Sequence, residues 1–317
     1  MERNVQQADA VPGADVVSTI FDRLRPRARE FKRGAYYFRK SLIAMVGLVI
    51  ILSFVFIAIF APLIAPLAPG QADPYEMPIV MGQAWAAPSA GHPFGQTQYG
   101  MDIFYGVIWG SRLSITIALE IVLTAVLIGT LAGMAAGFYG RWVDELLMRV
   151  TDVVLGIPSL ILAMAIIISF GGRLDTLVLA LVVVVWPTYA RLARGVALSV
   201  KNNLYVEAAR ASGTKSGRIL IRHILPNTLS PITVQATLDI GSVVLVAAGL
   251  SFIGFSFASD QTPEWGLMVQ YGQRHFGGAQ SDWWPVVYPG LFIFMFVLGF
   301  NMLGDGLRDV LDPRLRR

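Results

Sequence analysis

From Ser41 to Ile64 the chain runs 24 residues without a charged side chain. At the helical rise this is about 36 Å, against a bilayer hydrocarbon core of about 30 Å. In that medium every backbone N–H and C=O must be paired within the segment, which leaves an α-helix as the local solution. Further runs follow. Leu113 to Tyr139 holds one charge, Glu120, and Val153 to Phe170 holds none. Thr176 to Ala190 is shorter but is prolonged by Arg191 and Arg194, whose long side chains reach an interface. Pro231 to Ser259 contains Asp239 as its one charge, and Trp283 to Gly304 contains none, with Trp283, Trp284 and Tyr288 as interfacial anchors. The expectation is an all-α membrane protein of six transmembrane helices with both termini on one side.

Composition agrees, because 15% charged and 55% hydrophobic residues, with a mean hydropathy of +0.60, lie far from the roughly 25% charged residues of a soluble domain. Orientation follows from the basic residues, which stay cytoplasmic in short loops. Twenty-two of the 25 Lys and Arg fall on one side: in the first 40 residues, at Arg141 and Arg149, between Arg191 and Arg222, and from Arg308 onward. Arg112, Arg173 and Arg274 are left for the other side. The termini are therefore expected in the cytoplasm. The predicted organisation is a basic N-terminal segment (1–40), a first span (41–64) and an extracytoplasmic loop (65–110). A five-helix core (111–304) containing a cytoplasmic loop (200–227) and a tail (305–317) complete it.

The first run is too long for a signal peptide and no small-residue cleavage site follows it, so it reads as an uncleaved anchor. Arg23, Arg25, Arg27, Arg29, Lys32 and Arg33 read either as a solvated topogenic tail or as a contact for anionic lipid. A pI near 9.4 needs no nucleic-acid partner to explain it. Without Cys there is neither a disulfide nor a thiolate metal site. There is no GxxxxGK[ST] phosphate loop, HExxH or GxSxG, and His92, His223 and His275 are scattered over both sides. A membrane-embedded enzyme therefore lacks a catalytic constellation. A self-powered secondary carrier lacks the inverted repeat that such transporters show.

One polar interruption stands out between the apolar runs. Asn203 to Ala211 has good helix formers, Gly213 can take a positive φ and stop the helix, and Arg218 to Leu225 reads as a second short helix ended by Pro226. A helical hairpin should protrude into the cytoplasm, with Ala208, Ala209, Ile219, Ile221 and Leu225 as its apolar face. Its Glu207-Ala208-Ala209, three residues, then Gly213, with Leu225-Pro226 twelve residues on, resembles the coupling loop of ATP-binding cassette (ABC) importer permeases. His223 replaces the Ile of the general pattern, and Arg222-His223-Ile224-Leu225-Pro226-Asn227 is similar to the di- and oligopeptide and nickel branch.

Other segments resemble the second permease subunit of that branch: His92-Pro93-Phe94-Gly95 with Gly100 and Asp102, Gly140 to Arg149, Pro263-Glu264-Trp265-Gly266, and Asn301 to Arg314. The resemblance covers the chain from about Tyr37 onward. It implies the type I ABC importer permease fold and a place in a prokaryotic cell membrane. The implied partners are a second homologous permease, two ABC ATPase subunits and an extracytoplasmic solute-binding protein. ATP and Mg would be used by the ATPases, and no cofactor or metal would be bound by this chain. It further implies that Glu207, Ala208, Ala209, Gly213, His223, Leu225 and Pro226 couple to an ATPase, and that Pro263, Glu264, Trp265 and Gly266 are candidates for contact with the binding protein. Di- or oligopeptides are the expected solutes, with oligosaccharides and nickel as alternatives, because the binding protein selects.

Two features remain. Glu120 and Asp239 are candidates for the translocation path, since a carboxylate inside a bilayer costs on the order of 3 kcal/mol and faces a partner or water; pairing with a neighbouring helix is the competing reading. Asp239 stands eight residues before Ala247, where the branch carries Glu, as a candidate displaced substitute. Gly129, Gly133 and Gly137, after Ala125, form a small-residue stripe that packs a helix of this chain or of the partner permease.

Overall fold

The computed structural model describes Tyr36 and residues 38–256, 258–275 and 282–311. The basic segment with its expected lipid contact, and the Asp312-Pro313-Arg314 end of the tail motif, lie outside these residues. All regular structure among the described residues is helical: α1 (Leu42–Ile64), α2 (Ile103–Tyr139), α3 (Arg141–Gly156), α4 (Ser159–Phe170), α5 (Leu174–Val200), α6 (Leu204–Ala211), α7 (Ser216–Ile219), a π-helical turn (Leu220–Ile224), α8 (Leu225–Ile253), α9 (Trp265–His275) and α10 (Trp284–Leu311).

Five helices are long and apolar enough to cross a membrane, and the bent pair α3–α4 makes up to six. The run from Val153 to Phe170, expected as one span, is broken by 93° between α3 and α4 at Pro158. Pro158 has no N–H to continue the ladder and forces Ile157 into extended backbone (φ −99°, ψ 132°). What remains of the crossing is α4, 12 residues or about 18 Å.

Amphipathic α3 lies across α5 instead of along it. Its Asp144 meets Arg194 and its Asp152 meets Arg191, so eight residues of α3, about 12 Å, face three residues of α5, about 4.5 Å. Trp142 (71% exposed), Leu146, Val150 and Val153 form an outward apolar stripe. This is the pattern of a helix resting in the inner interface, and Arg191 sits about 26 Å below the outer end of α5, where that interface is expected. Gly140 (φ 64°) and Arg141 (φ 52°) make the sharp turn out of α2.

Span two begins ten residues earlier than its hydropathy suggests. The Asp102 carboxylate caps α2 by accepting from Tyr105 N at 3.1 Å, and His92 Nδ1 holds the other oxygen at 2.6 Å. Gly106 and Gly110 then let α2 pass close to Met77 and Met268 and to Trp265. The His-Pro-Phe-Gly signature thus helps to build a helix start, with Phe94 stacked on Tyr288 at 4.1 Å between centroids.

The glycine stripe is an internal contact. Gly129 meets the Trp186 carbonyl and Tyr189, Gly133 meets Ala190 and Ala193, and Gly137 meets Arg194 and Ala197, so α2 and α5 approach backbone to backbone. At the outer side, α9 drives Trp265 into the core, 5.9 Å from Phe54 and 5.8 Å from Phe296 between ring centroids, and its indole N–H donates to the Val107 carbonyl at 3.2 Å.

Candidate functional site

The hairpin expected on the cytoplasmic side begins where α5 ends. Lys201 Nζ donates to the Gly137 carbonyl at 2.7 Å, which satisfies an orphan acceptor near the C-terminus of α2 and ties the loop to it. Asn203 turns the chain and α6 follows with Glu207 exposed in its first turn. The helix stops in a Schellman arrangement, Gly213 N–H to the Arg210 carbonyl at 2.9 Å and Thr214 N–H to the Ala209 carbonyl at 3.0 Å, with Gly213 at φ 78°. The positive φ read from the sequence at Gly213 is present.

The second arm differs from the expectation. Pro226 does not end a helix: the chain runs continuously from Ser216 to Ile253 through the π turn, and Pro226 sits in the first turn of α8. Proline has no N–H to continue the ladder, and the change from π to α hydrogen bonding falls at this step. Asn227 Nδ2 donates to the His223 carbonyl one turn back at 2.6 Å. The second arm of the hairpin is therefore a direct extension of a membrane-length helix.

Which hairpin residues point outward also differs from the expected apolar face. Val206, Ile219 and Ile224 are buried in this chain's own core, and Ala209 and Leu225 pack against it. Ile219 is thus an inward anchor, not part of a docking face. The outward surface consists of Leu204 (83% exposed), Tyr205, Glu207, Ala208, Ile221 (69% exposed) and Pro226, with Gly213 at the tip and His223 half-buried beside Tyr205. Leu204 and Tyr205 fall inside the predicted first arm but outside the motif residues; their apolar character directly after a polar loop is the signal that they point outward. Arg210 lies over the Phe138 ring at 5.0 Å and adds a second tie to α2.

The two membrane carboxylates are not brought together. Glu120 is exposed midway along α2, beside the outward Leu119, Leu123 and Leu127. Asp239 is half-buried midway along α8, where it accepts from Gln235 Nε2 at 2.9 Å. Among the described residues no three His, Asp or Glu converge as a metal-ligand set.

The Pro263–Gly266 segment is buried throughout, which removes it as a surface for a docked binding protein. Glu264 instead caps α9, accepting from Gly266 N at 2.9 Å and Leu267 N at 2.7 Å. Burial pushes its carboxyl above the usual range, opposed by those backbone donors. Trp265 and Gly266 serve packing, Gly266 because a side chain there would strike the α8 backbone at Ala248.

Known proteins resemble this sequence. The family model described as binding-protein-dependent transport system inner membrane component matches residues 125–317, and the N-terminal transmembrane domain of oligopeptide transport permease C matches 31–83. The chain is 42% identical over 278 residues to the dipeptide transport system permease protein DppC of Alkalihalophilus pseudofirmus, covering 88% of each chain. To DppC of Escherichia coli K12 it is 40% identical, over 89% of this chain and 92% of that one. The glutathione transport system permease protein GsiD of Escherichia coli is 37% identical, with 93% of each covered. In fold the chain is similar to one in an inward-facing form of the MetNI methionine ABC transporter, with a TM-score of 0.52 at 18% identity over 66% of this chain and 97% of that one. Permeases of this kind are membrane subunits and not enzymes; their importers take solute from a binding protein and leave ATP hydrolysis to separate subunits. With a matched model over more than half its length and close relatives along nearly all of it, the chain belongs to the binding-protein-dependent transport system inner membrane components, as a DppC/OppC-like ABC importer permease.

Proposed function

We propose that this chain forms half of a pathway for di- or oligopeptides, beside one homologous permease, two ABC ATPase subunits and an extracytoplasmic binding protein. The observation that carries the reading is the hairpin, continuous with α8 and tied to α2 through Lys201 and Arg210. An ATPase that moves Glu207, Ala208, Ala209, Gly213, His223, Leu225 and Pro226 moves two membrane helices with them. Leu204, Tyr205 and Ile221 supply apolar area for the seat. The peptide class is supported by the dipeptide and glutathione systems of the relatives. Glu120 and Asp239 line the conduit, Glu120 from a face that a bare lipid contact would make costly.

The test is co-expression with the neighbouring transport subunits and reconstitution in liposomes. Labelled dipeptide should enter only with ATP and the binding protein present, and the two ATPases should co-purify with this chain. Uptake by the isolated chain would overturn the reading in favour of a self-powered carrier.

A further inference from the structure

Asp239 lies 14 residues from either end of α8, about 21 Å from each, so it sits near the middle of the apolar layer. Within the chain it meets neutral groups. Gln235 Nε2 donates to one carboxylate oxygen at 2.9 Å. Tyr189 on α5 is 0% exposed, and its hydroxyl, without any other partner, is turned toward the Asp239 carboxylate. Among the described residues no Lys, Arg or His forms an ion pair with Asp239. Gln235, Asp239 and Ser242 follow the i, i+4, i+7 spacing of one helix face, and Ser242 at its outer end is exposed. A carboxylate at this depth is stable only with a counter-charge or water, and here the neighbouring groups are neutral and supply no cation.

We propose that Asp239, Gln235 and Tyr189 form a mid-membrane site for a cationic group of the ammonium type. An ammonium carries three donors, and the site offers three groups with lone pairs to accept them: the Asp239 carboxylate, Gln235 Oε1 and Tyr189 Oη. Two sources carry that chemistry, the amino terminus of a transported peptide and a free monovalent cation. The inference rests on reading Asp239 as part of the conduit and deepens it by naming what the conduit binds.

The chain has no cysteine, so a single reporter can be placed at Ser242→Cys in the assembled importer, with Ser212→Cys in the exposed hairpin as the control. Labelling of this subunit is followed by mass, with a cationic (ethyltrimethylammonium) and an anionic (ethylsulfonate) methanethiosulfonate. The cationic reagent should react about tenfold faster at position 242, through local enrichment of cations by the Asp239 charge. That preference should vanish with Asp239→Asn and survive Asp239→Glu. Slowing by a free-amino dipeptide delivered by the binding protein, and not by ammonium chloride, assigns the site to the substrate; slowing by ammonium chloride alone assigns it to a free cation. Equal rates for both reagents would overturn the cation site while leaving the conduit. No reaction at 242 with a reactive control would overturn the conduit reading as well.

Discussion

Arg194 of α5 grips Asp144 of α3 with two arms of its guanidinium, Nε to Oδ1 at 2.6 Å and Nη2 to Oδ2 at 2.7 Å. Parallel bonds of this kind fix direction as well as distance, so the pair orients α3 against α5 at the point where the chain leaves the membrane for the hairpin. The hydrogen bonds from Arg194 hold the Asp144 carboxyl below the ordinary carboxylate range. Because Arg194 is about a third exposed, solvent screens the pair and its worth is about 1 kcal/mol. Asp144→Asn should lower the melting temperature by about 2 °C in detergent. The reversed pair Asp144→Arg with Arg194→Asp should recover part of that loss, and additive losses would show that the bond does not hold the helices.

The α2–α5 contact should be the least forgiving part of the membrane core. A Cβ at Gly133 would collide with the Ala190 carbonyl, a backbone atom that cannot move alone. Gly133→Val should cost at least the 1–3 kcal/mol typical of overpacking and abolish the monodisperse peak on size-exclusion chromatography. Gly195→Ala, where nothing lies within 4 Å of the added carbon, should leave the peak unchanged.

Gly213 has open space around it, and its constraint is conformational, from φ 78°. A β-branched residue there costs about 1–2 kcal/mol and shifts the hairpin tip. In the reconstituted importer Gly213→Val should keep ATP hydrolysis while peptide uptake falls at least tenfold, and Gly217→Ala should transport normally. Unimpaired, substrate-stimulated uptake by Gly213→Val would remove the coupling role.

Glu264→Ala strips two buried N–H groups at the start of α9 of their acceptor. Loss of such a cap costs about 2 kcal/mol, visible as a lower melting temperature. The sign of its pH dependence follows from its raised carboxyl. The folded state binds the proton more tightly than the unfolded one, so Glu264's contribution is complete below the ordinary carboxylate value of 4.5 and erodes as pH climbs through the raised one. Glu264→Gln should flatten that component of the melting curve against pH.

Local pattern was enough for several features because each answers to a local free energy. Apolar runs of sufficient length must become helices in lipid, and the basic residues choose the side. Gly213 could be read as a helix stop because only a residue without Cβ takes that φ cheaply. The order of motifs placed the chain in its family before any contact was known.

Tertiary structure decided which faces meet. Ile219 and Ile221 look alike in sequence, yet one is buried in the chain's own core and the other points out, since a two-residue step on a helix turns about 200°. Trp265 and Glu264 read as surface motif residues but are held inside by Phe54, Phe296 and the α9 backbone, partners far away in sequence. The glycine stripe could have served another subunit until α5 was found against it. Hydropathy specifies that a segment enters the membrane; close packing between distant segments specifies where it sits and what it can touch.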